Sequence, residues 1–568
     1  MDKVLILDGE SSAAIECVLT LAPRCRLHLA TSTGRLPLFG RLVERSLLQP
    51  EPPEVLKKWV EELFRSENYQ LIIPSTEVSL LALKHSGIDP TLRGRAVIPD
   101  ESSIDIALDK FRTVELARSL GIPAPRTVLV TSPDETARKV RYPIVIKPLR
   151  SKQYVQGEMR SFAARICQDE LSRASAYAEL LPCTPAVEQE YFRGRGIGIE
   201  VMFERGRLRW WFAHERIHAL PVTGGASTYR RSITPPLAIL HATEALLSSL
   251  RWHGVAMVEF NVSENGDFRL LEINPRLWGS LPLAVAAGVD FPSGLLQLAR
   301  GETLEEQPSY RHDFYMRHFA NDMVWFAKSW KERRNPLRMK ALDWTDWLAL
   351  LRPLNGSEHW DFFRWRFPFI WWKCTRSSLS GFRRDKRRRK AADATSINWR
   401  KLQPAWQTSE IQRVLVLCHG NICRSPVVER LLAGPRRQVK SAGFLPAGRM
   451  TPGDWTRVVQ NTLGLDLCDH RSNRVDAAQI RWADLILLMD AANWQMLWKA
   501  FPDAMGKAVL LGYASHDATA DEVEIRDPYE LPELAMHSVA LKLKVCADSL
   551  LQQQTIVVPD REIAVRAC

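Results

Sequence analysis

Val414-Leu415-Val416-Leu417-Cys418-His419-Gly420-Asn421-Ile422-Cys423-Arg424-Ser425-Pro426 decides how the last third of this chain folds. A run of Val and Leu has the composition of a buried strand and ends at Cys418. Five residues separate Cys418 from Arg424, and the helical pattern VVERLLA follows. The cysteine and the arginine therefore close a loop at a helix N-terminus, where inward-pointing backbone N–H groups make an anion cradle. The same field favours a thiolate at Cys418, the nucleophilic form. The planar fork of Arg424 suits two phosphoryl oxygens, and the Ser425 hydroxyl is placed to hydrogen-bond the sulfur and ease its departure. Cleaving a phosphate ester also needs an acid for the leaving oxygen. Asp527, in Arg526-Asp527-Pro528-Tyr529, is the candidate, acting afterwards as base on the hydrolytic water. Pro528 stiffens that loop, and Tyr529 offers a wall for an aryl substrate.

Together with Ser441-Ala442-Gly443, His470-Arg471-Ser472 and Ala483-Asp484-Leu485-Ile486-Leu487-Leu488-Met489, these motifs resemble the low-molecular-weight protein tyrosine phosphatase family from about Arg413 to Leu550. The resemblance implies a doubly wound parallel sheet and a phosphocysteine intermediate on Cys418, with no cofactor. It implies that Gly420, Asn421, Ile422, Cys423 and Ser425 shape the phosphate loop, and that Asn421, Ser441 and His470 form the network that holds it. Cys423 would form a reversible disulfide that protects Cys418 from overoxidation. In that family threonine at the Ile422 position accompanies phosphoarginine specificity, and Ile422 with Tyr529 resembles the phosphotyrosine type. Phe444 and His419 depart from the usual pattern, at the rim of the pocket. A buried structural cysteine and an arsenate reductase are the alternatives. The second needs redox cysteines beyond the acid loop, and Cys546 alone fits it poorly.

Upstream, short apolar strands alternate with helical patterns from Val4 to about Pro99, which predicts a small α/β unit with a parallel sheet. Mostly antiparallel strands follow, at YPIVIKP, PAVEQEYF, GIEVMFE, RLRWWFAHE, GVAMVEFNV and DFRLLEINP, with turns at Glu204-Arg205-Gly206 and Glu264-Asn265-Gly266. The last two strands form a hairpin that brings Glu259, Glu272 and Asn274 onto one face. Two carboxylates and an amide are hard oxygen ligands for Mg²⁺ carrying ATP phosphates. This ordered set, with Asp109-Lys110, Lys147 and Arg276, resembles the ATP-grasp superfamily over about Met1 to Glu302. The resemblance implies that Lys110, Lys147 and Arg276 contact ATP phosphates and that Glu188, Gln189 and Glu190 line the adenine hinge. Glu259, Glu272 and Asn274 would bind magnesium, and Arg216 the acyl phosphate or carboxylate substrate. The segment after Lys147, PLRSKQYVQGEMRS, is poor in glycine where that superfamily has a glycine-rich lid.

The chain has 568 residues, 46% hydrophobic and 25% charged, which predicts several soluble domains. The expected division of this multidomain α/β chain is 1–100 pre-ATP-grasp, 101–305 ATP-grasp, 306–374 a Trp-rich helical extension, 375–410 a basic linker, 411–555 phosphatase, and 556–568 a tail. Ten scattered cysteines, an N-terminus without a signal-peptide core and the lack of an 18-residue apolar run predict a cytoplasmic, non-spanning protein. The net charge of +12 is concentrated at Arg383–Lys390, RRDKRRRK. We read that run as solvated, with no nucleic-acid partner. For the Trp-rich middle, helices packing back on the preceding domain are preferred over a membrane-surface contact.

The whole is expected to be a bifunctional enzyme. Its ATP- and Mg²⁺-dependent half would join a small-molecule carboxylate to an amine, and its other half would act on a phosphotyrosine protein or a phosphorylated metabolite. The alternative is a phosphatase whose ATP-grasp module only senses nucleotide or docks a partner. In a third reading the two halves take consecutive steps on one metabolite. The sequence does not set an oligomeric state.

Overall fold

The structure is a computed structural model that describes residues 1–32, 41–50, 53–84, 89–132, 135, 139–155, 158–304, 306–435, 437–515, 523–529, 531 and 533–553. The tail at 556–568 lies outside the described residues. The chain forms two compact units, Met1–Ser378 and Leu379–Cys568.

The first unit contains three main sheets. Strands Arg45–Leu48, Cys25–Thr31, Asp2–Ile6 and Leu71–Ile73 lie side by side in that order, all parallel. Apolar runs such as Val4-Leu5-Ile6-Leu7 are buried completely, as a parallel sheet covered on both faces requires. A second sheet, Thr127–Val130, Ala186–Glu190, Ile144–Pro148 and Arg165–Cys167, is antiparallel. The third has seven strands, in the order Phe268–Asn274, Gly254–Val262, Arg195–Glu204, Arg207–Leu220, Ala226–Ser232, Tyr315–Arg317 and Glu358–Trp360. Both sequence-predicted turns join neighbouring antiparallel strands of this sheet. In the first, Arg205 and Gly206 both take positive φ, 48° and 87°, the geometry of a two-residue hairpin whose twist matches its strands.

The Trp-rich segment does pack back, through helix Phe319–Lys331, whose Trp325 and Phe326 join Val222 in a buried cluster. It is not all helix. Tyr315–Arg317 and Glu358–Trp360 extend the seven-stranded sheet. At three residues each, they are too short for a period-2 pattern to stand out.

In the second unit four parallel strands lie in the order Gln438–Gly443, Arg413–Cys418, Leu485–Leu488 and Ala508–Leu510. Strand Arg413–Cys418 sends Val414 and Val416 into one core cluster and Leu415 and Leu417 into another. This two-sided burial explains its unbroken apolar run. The segment read as a basic linker is instead the greater part of a single helix, Pro368–Gln407. Its cations occupy exposed positions such as Arg383, Arg387 and Lys390. Ala391, Ala392, Thr395, Trp399 and Trp406 recur at helical spacing and are buried, and Trp406 donates from Nε1 to the Leu550 carbonyl at 2.9 Å. The density of Arg and Lys hid this apolar stripe.

Replacing Trp406 with alanine should therefore destabilise the second unit by about 3–5 kcal/mol, the cost of a large core cavity. Arg387→Ala should change it by less than about 0.5 kcal/mol. Denaturant titration of both variants checks the contrast.

Candidate active sites

Asn421 organises the loop between strand Arg413–Cys418 and helix Arg424–Leu432. Its φ is +52°, a conformation that costs a non-glycine residue about 1–2 kcal/mol and that asparagine tolerates better than most. At about 1 kcal/mol each, its hydrogen bonds offset that cost. The side-chain amide donates to Ser425 Oγ at 2.9 Å and Ser441 Oγ at 2.8 Å, and Asn421 Oδ1 accepts from the Asn473 amide at 2.7 Å. The Asn421 carbonyl lies 2.7 Å from His470 Nε2. Ser441 and His470, expected to form the loop network with Asn421, thus both bond it.

Cys418 Sγ sits inside this loop, 2% exposed, accepting from the Asn421 amide at 3.2 Å and the Ser425 hydroxyl at 3.1 Å. Arg424 opens the helix and is buried. One of its terminal nitrogens reaches Asp490 Oδ2 at 2.6 Å and the Ile525 carbonyl at 2.8 Å; the other reaches Asp527 Oδ2 at 2.7 Å. Burial works against this guanidinium, but Asp490 and Asp527 outweigh it and hold the charge in place. Its Nε has no partner among the described residues, which leaves a donor for an incoming anion. Tyr529 is half-exposed, and its amide donates to Asp527 Oδ1 at 3.3 Å. Burial pushes the Cys423 thiol far above the usual range, with Asp527 and Cys418 adding to the effect, so Cys423 rests as a thiol. Ile422 is buried in the same core cluster as both cysteines.

Two participants escaped the sequence reading. Asp490 follows the quoted Ala483–Met489 strand motif directly and caps helix Ala491–Ala500, where a capping role would have been assigned first. Glu429, in the helix after the loop, accepts a short hydrogen bond from Ser441, and only its i+5 offset from Arg424 hints at it.

In the first unit a cleft of about 1520 Å³ is lined by Lys110, Lys147, Gln189, Glu190, Arg216, Glu259, Glu272, Asn274 and Arg276. Asn274 Nδ2 lies 3.2 Å from Glu259 Oε1 and 3.5 Å from Glu272 Oε1, as the predicted hairpin requires. Arg216 forms an ion pair with Glu259. Arg276 lies 3.4 Å from Asn274 Oδ1 and 3.5 Å from Glu77, a carboxylate of the first α/β segment that no motif marked. The Arg276 Nε is buried without a partner among the described residues. Lys110 Nζ donates to Ser151 Oγ at 2.8 Å. Burial opposes ionisation of Glu272, yet Lys110, Lys147, Arg216 and Arg276 overcome it and hold the carboxyl below its usual range. Burial also pulls Lys147 below the usual lysine range, with Glu272 opposing and Lys110 adding to it.

Glu188 is the exception among the expected nucleotide residues. Successive side chains of strand Ala186–Glu190 point to opposite faces. Gln189 is paired with Val145 in register and faces the cleft with it, whereas Glu188 turns to helix Glu170–Leu180. There it accepts from Arg173 Nε at 2.9 Å and Tyr177 Oη at 2.6 Å. The Glu188 side chain is therefore anchored on this helix and turned away from the cleft.

Comparison with known proteins agrees with this architecture. Residues 413–556 match the family model for low molecular weight phosphotyrosine protein phosphatase. Residues 184–321 match the model described as ATP-grasp in the biosynthetic pathway with Ter operon. The probable low molecular weight protein-tyrosine-phosphatase AmsI of Erwinia amylovora is 35% identical over 131 residues, 23% of this chain and 88% of that protein. The protein-arginine-phosphatase of Geobacillus stearothermophilus is 28% identical over 144 residues, 25% of this chain and 95% of that one. Among solved structures, an L-amino acid ligase from Bacillus licheniformis aligns at 14% identity and a TM-score of 0.43, covering 56% of this chain and 78% of its own. Through its second unit the chain belongs to the low-molecular-weight phosphotyrosine protein phosphatase family, and a segment that matches an ATP-grasp model precedes that domain.

Gly443 packs against the phosphate loop so closely that an added Cβ would lie 2.7 Å from the Asn421 amide nitrogen and 2.8 Å from the Gly420 carbonyl carbon. Gly443→Ala should displace the loop and lower kcat/KM for an aryl phosphate by about 100-fold, as misplacement of about 1 Å does elsewhere. Steady-state kinetics checks this.

Proposed function

We propose that the chain is a bifunctional enzyme, a phosphotyrosine-type phosphatase joined to an ATP-dependent carboxylate–amine ligase. The observation that carries the phosphatase half is the convergence of the Asn421 amide and the Ser425 hydroxyl on Cys418 Sγ, with Arg424 and Asp527 paired at 2.7 Å in the same site. Cys418 attacks phosphorus while Asp527 gives a proton to the departing ester oxygen. The phosphocysteine is then cleaved by water whose proton Asp527 removes. Arg424 binds equatorial oxygens and stabilises the charge that builds on them. Ser425 hydrogen-bonds the sulfur as it leaves. Ile422 and Tyr529, and relatives named as tyrosine phosphatases, support a phosphotyrosine substrate over phosphoarginine.

In the other half, Lys110, Lys147 and Arg276 would hold ATP phosphates, and Arg216 the carboxylate that becomes an acyl phosphate before an amine displaces phosphate. Glu259, Glu272 and Asn274 fit a hard divalent cation, because two carboxylates and an amide face one pocket ringed by these cations. Magnesium bound there would neutralise phosphate charge during transfer. The chain's few, scattered cysteines support a reducing compartment, and we place both activities in the cytoplasm.

Glu272→Ala should abolish ADP release in a screen of carboxylates with amines while aryl phosphate hydrolysis continues unchanged. Asp527→Asn should do the reverse, slowing poor leaving groups far more than good ones. If no pair elicits ADP release from the unaltered chain, the first unit is not a ligase. Equal slowing of good and poor leaving groups would remove Asp527 as the acid.

A further inference from the structure

Helix Trp344–Leu348 and the 3₁₀ turn that continues it to Asn355 turn Asp346, Ala349 and Leu350 inward. Asp346 is buried, facing His218 Nε2 at 3.0 Å, and Lys340 pairs with it. On the outside lie Trp344 (71% exposed), Trp347 (53%), Leu348 (52%), Leu351 (58%) and Leu354 (84%). Their offsets of three, four, seven and ten residues from Trp344 put them on one helical face. Folding of the first unit ordinarily buries such a stripe, and here it is presented to the outside.

The charge of the segment that carries the stripe is one-sided. Lys328 to Arg376 contains eleven Lys and Arg and five Asp and Glu. Three of the acids, Asp346, Glu358 and Asp361, are buried in ion pairs with His218 and Lys340, with Arg317, and with Arg230. Outward-facing cations such as Arg333, Arg334, Arg366 and Arg376 are left almost unopposed. Further aromatic rings stand exposed in the same segment, Trp330 beneath Arg333 and Trp372 beneath Arg376. Tryptophan, leucine and arginine in this arrangement match the boundary between lipid headgroups and acyl chains. Among the described residues no single helix is long and apolar enough to cross a membrane.

We infer that the outward face of Trp344–Leu354 docks the first unit onto an anionic lipid surface, its Trp and Leu side chains entering the interface and the exposed Arg and Lys of the same segment pairing with headgroups. A second copy of the chain is a poorer occupant. A two-fold interface sets a patch against itself and would bring these cations together. Nucleic acid would supply the anions but nothing to cover the leucines.

Co-sedimentation of the full chain with vesicles tests this. Vesicles of phosphatidylcholine with phosphatidylglycerol should bind the protein, more weakly as salt rises, and phosphatidylcholine alone should not. Combined Trp344→Ser, Leu348→Ser, Leu351→Ser and Leu354→Ser, which leaves Asp346 intact, should weaken binding at least about tenfold. An unchanged melting transition and unchanged aryl phosphate turnover report that the variant is folded. Should the combined variant not fold, Trp344→Ser alone and Arg333→Ala with Arg334→Ala should each weaken binding. Failure of the unaltered chain to bind anionic vesicles overturns the inference. So does undiminished binding by the folded variants, which would assign vesicle binding to the basic run at Arg383–Lys390. A dimer in sedimentation velocity that the substitutions dissolve, without vesicle binding, would assign the face to a second copy.

Discussion

The phosphatase centre depends on the hydrogen bonds of Asn421. A loop that turns its amides toward a sulfur pushes like dipoles together, and one residue in it adopts a left-handed backbone. Asn421 makes this arrangement stable by tying the loop to three neighbours, the helix start at Ser425, the adjacent strand at Ser441 and the following loop at Asn473. With the cradle fixed from outside, Ser425 and the Asn421 amide are left pointing at Cys418. Arg424 is buried between Asp490 and Asp527 and keeps its charge through them.

Electrostatics does comparable work in the first unit. Glu272 is partly buried, and four cations converge on it and hold its carboxyl below the usual range. Those cations come from distant parts of the chain: the start of one helix, the centre of the second sheet and two places in or beside the seven-stranded sheet. Their convergence on two carboxylates makes a dense charge cluster with a surplus of cations, suited to an anion. Such clusters are costly to bury without a function, since hydrophobic packing of the same volume often stabilises as well or better.

Local chemistry was legible in the sequence, and long-range partners were not. The Cys418–Arg424 loop carries its mechanism in a few consecutive residues, and the Glu259/Glu272/Asn274 cluster follows from one hairpin and the period of a strand. A run of three polar residues, Glu188-Gln189-Glu190, does not announce which of their side chains faces the cleft. Asp490 and Glu77 act on arginines 66 and 199 residues away, distances over which no sequence spacing guides the eye. The helix Pro368–Gln407 was read as a linker because charge masked its buried stripe. The outward apolar face of Trp344–Leu354 is the converse case, since the helical spacing of its apolar residues is plain in the sequence and only its direction needed the structure.

The central claim is that Cys418 carries the phosphoryl group between two chemical steps. Mixing an aryl phosphate with the Asp527→Asn protein, quenching in acid and locating phosphate by mass spectrometry tests it most directly. Loss of the base that activates water should let the intermediate accumulate, with one phosphoryl group found on Cys418. A reaction that releases phenol while Cys418 stays unmodified at every time point, or phosphate recovered on another residue, would contradict the account.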